Sequence, residues 1–340
     1  MRKPVVLITG ASGEMGQGLI DTLSQSDERD IVALDLNPLP AEIANKCAHT
    51  VVGDILDEQL LARVSARFEI HVVYHLAALL STRAEYTPLA AHRVNVGGTM
   101  TLLQIAFEQS RQHGHPVRFL FPSSIAVYGM PTVAAKNSHP PLREFEWNKP
   151  TTMYGCNKLY CEQLGRYYSL HYRQLDAARV PSGVDFRSIR FPGLISAVTL
   201  PSGGTSDFAP EMLHAAASGQ HYDCFVSPSA QLPFMAMTDA IRALILLEQA
   251  DAEALSQRIY NINAFSMTAE ALRNLILQAF PGANIGFSTD RKREAIVDTW
   301  PAEVDDHKAR SDWGWNPIYN ARTAFSEHLI PAISARYKRG

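Results

Sequence analysis

The chain has 340 residues, 46% hydrophobic and 19% charged, with 31 basic against 34 acidic side chains and a formal net charge of −3. The charges are mixed along the chain with no basic stripe, which argues against a nucleic-acid surface, and the apolar run at 72–80 is too short, and broken by His75, to span a membrane. Four cysteines (Cys47, Cys156, Cys161, Cys224) make no C-x-x-C pair and no metal-ligand spacing, so a reducing, cytoplasmic setting without a metal is expected.

Residues 5–9 (VVLIT) are a β-branched apolar run ending at Gly10, as expected of a strand buried on both faces. The stretch before Gly10 reads as strand and turn rather than as a leader peptide. A helix over 16–24 follows, then strands at 31–34 and 50–52, a helix at 60–68 and a strand at 72–75. A long helical stretch covers 95–109, a strand 118–122, a helix 154–172 and a strand 184–190. Strands alternating with helices predict an α/β fold of Rossmann type, a doubly wound parallel sheet with right-handed crossovers. After residue 190, segments rich in Pro, Gly, Ser and Thr (192–205, 227–233) alternate with helices at 239–247 and 269–280. Residues 1–190 are therefore expected to form the cofactor domain. Residues 191–340 would be mainly a smaller α/β substrate lobe, part of which returns to the first domain.

Gly10, Gly13 and Gly16 form G-x-x-G-x-x-G between the first strand and the first helix. Glycines there permit positive φ and close backbone approach, and the helix N-terminus around Glu14 and Met15 offers N–H groups to a pyrophosphate. Asp35 ends the second strand, where a carboxylate accepts from two ribose hydroxyls and repels a 2′-phosphate; NAD is expected rather than NADP. Asp54 and Ile55 follow the third strand and are expected beside the adenine. His75-Leu76-Ala77-Ala78 ends the fourth strand, with small residues that let a cofactor lie against backbone; His75 reads as a packed strand-end histidine without a catalytic role.

Tyr154 and Lys158 stand four residues apart, hence on one helical face. A phenol ionises near pH 10, and an ammonium one turn away, with a cationic nicotinamide, favours the phenolate needed of a base. Lys158 is also expected to hold the nicotinamide ribose. The run Pro122-Ser123-Ser124 ends a strand at the cleft, where a serine hydroxyl can hold the reacting oxygen. Ser124 is the expected partner of Tyr154, with Ser123 the other candidate.

These features resemble the extended short-chain dehydrogenases, the superfamily that contains the sugar-nucleotide epimerases. The resemblance rests on Gly10–Gly16, Asp54, 75–78, Asn95, Ser123-Ser124 and Tyr154–Lys158. It implies that Asn95 and Phe191 also border the cofactor. The second half is similar to the short-chain type of L-threonine 3-dehydrogenase: Arg190-Phe191-Pro192-Gly193-Leu194-Ile195-Ser196, Gly203-Gly204-Thr205-Ser206-Asp207-Phe208, Leu232-Pro233-Phe234-Met235 with Asp239-Ala240, and Trp300-Pro301 through Asp305-Asp306 to Asp312-Trp313-Gly314-Trp315. Ala77-Ala78-Leu79-Leu80-Ser81 fits the same pattern. The resemblance implies NAD-dependent oxidation of L-threonine to 2-amino-3-oxobutyrate. Ser81, Ser123, Ser124, Tyr154, Gly193, Thr205 and Ser206 would border the substrate, and Asp207 would be a cation partner or loop organiser. It also implies a homodimer through the helices at 95–109 and 154–172.

Two stretches depart from the pattern, 174–182 and 131–149, and both are expected to be surface changes. For Asp207 the plain alternative is a helix cap. The rival activity is a nucleotide-sugar 4-epimerase or dehydratase, which shares Tyr, Lys and Ser but normally needs arginines for a diphosphate; residues 192–208 hold none. A non-catalytic redox sensor would not need the Tyr154–Lys158 pair.

Overall fold

The computed structural model describes residues 3–25, 29–176, 183–201 and 203–338. Strand β1 (Pro4–Thr9) is buried from Val5 onward. Successive side chains leave it on opposite faces. Val6 and Ile8 pack with Leu19, Ile20 and Leu23 of the helix Glu14–Leu23 and with Ala240, Leu244 and Leu247 of the helix Met237–Gln249. Val5 and Leu7 meet the opposite layer, built from the helices Glu58–Arg67, Thr99–His113 and Met153–Leu170. A strand covered on both sides has no polar face to keep, which is why its sequence is apolar without alternation.

The remaining strands are β2 (Asp30–Asp35), β3 (His49–Val52), β4 (Glu69–His75), β5 (Val117–Ser124), β6 (Val184–Phe191), β7 (Gly193–Ile195), β8 (Tyr222–Cys224), β9 (Gln231–Ala236), β10 (Ile259–Asn261), β11 (Phe265–Thr268) and β12 (Ile285–Phe287). Seven form one parallel sheet in the order β10-β6-β5-β4-β1-β2-β3. The chain builds outward from β1 through β2 to β3, then restarts on the other side of β1 with β4. That reversal opens a crevice beyond the carboxyl ends of the strands, the usual ligand position in such sheets. Thr9, Asp35, His75, Ser124 and Phe191 all lie on this edge.

Two small sheets, β11-β9-β7 and β12-β8, stand above the edge. Their core contains Ile195, Phe208, Met212, Phe234, Leu272, Trp300 and Phe325, and it runs on into Ile125, Val127 and Tyr128 after β5. The helix Met237–Gln249 and strand β10 belong to the main sheet, so the later chain passes back and forth between the two layers.

Several boundaries differ from expectation. Strand β4 begins at Glu69, and the long helix starts as a π-helical turn, Arg93–Gly98, before becoming regular at Thr99. The short strands β7, β8, β9, β10, β11 and β12 were not foreseen, because runs of three to six residues carry no readable period. The segment 131–149 is mostly exposed, as a surface elaboration would be, but it is anchored at two buried points. Its Leu142 and Lys136 are 1% and 3% exposed, Leu142 pairs with Val304, and Lys136 Nζ donates to Val297 O at 3.0 Å. These contacts, with Asn261 N donating to Glu144 at 3.0 Å, tie it to the upper core and to the edge strand β10. Of the stretch 174–182, residues 177–182 lie outside the described residues. Among the described residues no helix is long and apolar enough to cross a membrane.

Candidate active site

The glycine turn is built to touch β4. Gly10 has φ +70°, and a Cβ there would lie 2.6 Å from Ala77 N and 2.8 Å from Leu76 C. A Cβ on Gly16 would meet Gly10 O at 2.6 Å. The helix Glu14–Leu23 starts at Gly13 with no side-chain cap, so its first-turn N–H groups point at the crevice without a competing acceptor of that kind. Asp35 accepts from Ser12 N at 3.0 Å through one oxygen and from Asn37 N at 2.9 Å through the other. It thereby ties the end of β2 to the glycine turn.

At the end of β4 both ring nitrogens of His75 are paired. His75 is buried between Thr9 Oγ1 (2.8 Å from Nδ1) and Thr99 Oγ1 (2.9 Å from Nε2). Thr99 donates its hydroxyl proton to Asn95 O at 2.6 Å, so it accepts from Nε2–H, which assigns the tautomer. Burial, aided by the nearby Lys158 charge, pulls His75 down to about 3 and keeps it neutral. Asn95 lies in the π-helical turn and is 3% exposed; its carboxamide accepts from Leu79 N at 2.8 Å and donates to Leu79 O at 3.0 Å. It clamps the loop that carries Leu76, Ala77 and Ala78. Asp54 is exposed and accepts from Leu56 N at 2.9 Å, while Ile55 is buried against the position a Gly98 side chain would fill.

The helix Met153–Leu170 begins at Thr152, whose hydroxyl accepts from Gly155 N. Its fourth turn cannot carry a side chain at Gly165, where a Cβ would strike the Phe186 ring at 2.1 Å, and the helix therefore lies close on β6. Tyr154 is half-buried and Lys158 buried. Lys158 Nζ donates to Pro122 O at 2.7 Å and lies 5.4 Å from the Tyr154 ring centre and 4.5 Å from that of Phe121. Burial lowers Lys158 to about 8, and burial raises the Tyr154 phenol well above the usual tyrosine range. Lys158 turns its ammonium to the backbone of β5, and desolvation dominates at the Tyr154 phenol.

The two serines are separated by the alternation of β5. Ser124 accepts from Ala126 N at 3.2 Å and stands on the crevice side. Ser123 is 3% exposed and donates at 2.5 Å to Glu162, whose carboxylate also receives Arg190 Nε at 2.8 Å and Nη2 at 2.6 Å.

The upper layer closes on the lower through one loop. Ser81 Oγ accepts from Thr205 N at 3.1 Å, Thr82 donates to Gly203 O, and Thr199 donates to Glu14. Asp207 receives Gly203 N at 2.9 Å and Gly204 N at 2.6 Å and makes no side-chain cap on the helix Phe208–Ser218, so it organises the loop. Thr205 is buried and Ser206 half-buried beside it, and Gly193 in β7 admits the Phe234 ring, which a Cβ would meet at 2.6 Å. Phe191 is buried at the end of β6, paired with Ser124.

Residues 6–263 match the model of the NAD dependent epimerase/dehydratase family. The chain belongs to that family. It is 36% identical over 310 residues, 91% of this chain and 78% of the other, to the mitochondrial L-threonine 3-dehydrogenase of Bos taurus. Among solved structures it is similar to the holo form of a GalE-like L-threonine dehydrogenase from Cupriavidus necator, with TM-score 0.81, 36% identity, and 98% and 99% of the two chains covered. A monomeric L-threonine 3-dehydrogenase of metagenomic origin gives TM-score 0.84 at 34% identity over 98% and 100% of the two chains.

The residues present fit the family's dinucleotide. The uncapped helix start, the side-chain-free turn against Ala77 and the carboxylate at the end of β2 suit a pyrophosphate and a ribose. Sequence reasoning missed Thr9 and Thr99, which hold His75, and Thr82 and Thr199, which hold the loop. Isolated threonines carry no signal. Glu162 was also missed, although its place four residues after Lys158 could have marked it.

Proposed function

We propose that the chain oxidises the 3-hydroxyl of L-threonine, with NAD as oxidant, to 2-amino-3-oxobutyrate. The observation that carries this reading is the short, arginine-free loop 203–207 seated on Ser81 and Thr82, over a crevice that presents Tyr154, Lys158 and Ser124. A small zwitterion needs close hydroxyl and N–H donors of this kind, whereas a nucleotide diphosphate needs cations.

NAD, when bound, supplies the electron-pair acceptor for the hydrogen on the substrate's hydroxyl-bearing carbon. Tyr154 takes the hydroxyl proton, and the charge on Lys158 favours the phenolate that does so. Ser124 donates to the substrate oxygen and holds it as the carbonyl forms. Ser81, Thr205 and Ser206 orient the carboxylate and amine, and Gly193 leaves room beside them. With Asp207 occupied by two backbone N–H groups, its part is to shape the loop. For the cofactor we assign Gly10, Gly13, Glu14, Met15 and Gly16 to the pyrophosphate turn and Asp35 to the ribose. Asp54, Ile55, Leu76, Ala77, Ala78, Asn95 and Phe191 are assigned to the walls. Among the described residues, much of 193–234, 265–304 and 319–337 is assigned to the lobe that covers the substrate, while Ala309, Trp313 and Trp315 pack back on the main sheet.

Purified protein is expected to form NADH with L-threonine, and not with D-threonine or UDP-glucose, followed by its absorbance. It should use NAD far better than NADP, and Asp35→Ala should narrow that gap. Turnover of UDP-glucose with none of L-threonine would transfer the case to the epimerase reading.

We infer a homodimer as well, supported by Met100, Tyr160, Tyr167 and Leu170, which are 40–53% exposed on the helices Thr99–His113 and Met153–Leu170. A second copy would bury this apolar patch as a four-helix bundle. Sedimentation should give twice the chain mass, and Tyr160→Glu should halve it. The four free thiols are in keeping with a cytoplasmic location.

A further inference from the structure

Lys158 and Ser124 are both placed by groups that no part of the mechanism above uses. Glu162 lies one helical turn beyond Lys158 and is fully buried. Its carboxylate receives three hydrogen bonds: Ser123 Oγ at 2.5 Å, Arg190 Nε at 2.8 Å and Arg190 Nη2 at 2.6 Å. Arg190, 1% exposed, uses its remaining nitrogen on Glu144 O at 2.7 Å and lies over the Tyr128 ring at 4.9 Å. One carboxylate therefore joins the catalytic helix, the end of β5 and the end of β6.

Ser123 sits between Pro122, whose carbonyl holds the Lys158 ammonium, and Ser124, which faces the crevice. Loosening the Ser123 anchor would free both neighbours at once. A buried Arg–Glu pair is also a doubtful source of net stability, because desolvating both ions costs about as much as their attraction returns. Its presence beside the reacting groups calls for another reason.

We propose that Glu162 is a positioning residue for proton transfer, holding Ser124 in place through Ser123 and keeping a negative charge one turn from Lys158. This rests on the reading of Tyr154, Lys158 and Ser124 given above. The charged or titratable groups facing Lys158 are Tyr154, Cys161 and Glu162 on its own helix, His75 on β4, and Arg190 on β6 behind Glu162. His75 is neutral, pulled down to about 3, and the Cys161 thiol is pushed up by burial to about 11. Neither carries charge near pH 8, where Lys158 titrates. With the Cys161 thiol neutral, Glu162 is the anion that opposes the burial of Lys158, and it is shared with Arg190.

Two variants test this. In Glu162→Gln the Lys158 ammonium loses its anion, so its titration, followed by the ε-carbon NMR shift of 13C-lysine-labelled apoprotein and assigned with Lys158→Arg, should move down by about one pH unit. Glu162→Asp should restore it. In Ser123→Ala all charges remain and the fold should persist. The kcat for L-threonine should drop roughly ten-fold while the KM values for L-threonine and NAD stay within about two-fold. A purely structural Glu162 would lower the melting temperature and leave the Lys158 midpoint unmoved, and that result overturns the proposal. If Glu162→Gln does not fold, Ser123→Ala decides: unchanged kcat, or a rise confined to the KM for L-threonine as a direct contact would give, overturns it. A wild-type protein inactive on L-threonine but with the Lys158 shift intact would count against the substrate and not against Glu162.

Discussion

Tyr154→Phe is expected to fold, to bind NAD normally and to lose at least about 10²-fold in kcat, the lower range for removing a general acid–base group. The substitution deletes one oxygen from a half-buried ring and leaves the aromatic packing beside the Met153–Leu170 helix in place. Stability should change by less than about 1 kcal/mol, as is usual where no buried partner is orphaned. The phenol is raised by burial, so the wild-type enzyme must draw it down in the ternary complex, and activity should increase with pH as the base ionises. Lys158, lowered to about 8 by its own burial, loses its charge above that point and sets the opposite limb. The product of the two is a bell in the kcat profile between neutral and mildly alkaline pH. A Tyr154→Phe enzyme with near-normal kcat, measured by NADH formation, would mean that another group takes the proton.

Gly10→Ala is expected to cost more than about 3 kcal/mol of stability and to weaken NAD binding by at least about ten-fold, or 1.4 kcal/mol. Two effects add at this position. A left-handed backbone penalises an L side chain by roughly 1–2 kcal/mol. The new Cβ would also lie 2.6 Å from Ala77 N and 2.8 Å from Leu76 C, both backbone atoms of the loop after β4, which cannot swing aside as a side chain would. Either β4 and the glycine turn part, or the turn flattens, and both displace the N–H groups aimed at the pyrophosphate. Gly114→Ala separates the two effects: Gly114 has φ +79° at the end of the helix Thr99–His113, with nothing within 4 Å of its built Cβ. It should show the backbone penalty alone in a denaturant titration. Equal losses in the two variants would mean that the contact with Ala77 is not what demands glycine.

The sequence was most legible where local chemistry and global fold make the same demand. A buried parallel strand must be apolar, a turn that touches a neighbouring backbone must be glycine at the contact, and side chains on one helical face stand three or four apart; β1, Gly10 and the Tyr154–Lys158 pair each follow from such a rule. Where a residue's part depends on what folds against it, legibility ended. Ser123 and Ser124 are identical neighbours, and only the pleat of β5, with Glu162 on one side and the crevice on the other, tells them apart. Asp207 reads as a helix cap from its position, yet the backbone of Gly203 and Gly204 claims its carboxylate first.

By itself, then, the order of residues determined the parallel sheet and the glycine turn and marked Asp35 and the Tyr154–Lys158 pair as candidates, because each is specified within a few residues by period, sterics or charge. Only the tertiary structure decided how the later chain shuttles between the two layers and that Lys136 and Leu142 anchor the segment 131–149. It likewise decided which serine faces the crevice, and that Lys158 turns its charge to Pro122 O with Glu162 behind it. Those outcomes depend on burial and on partners tens to hundreds of residues away, and desolvation in a packed interior has no signature in a linear sequence.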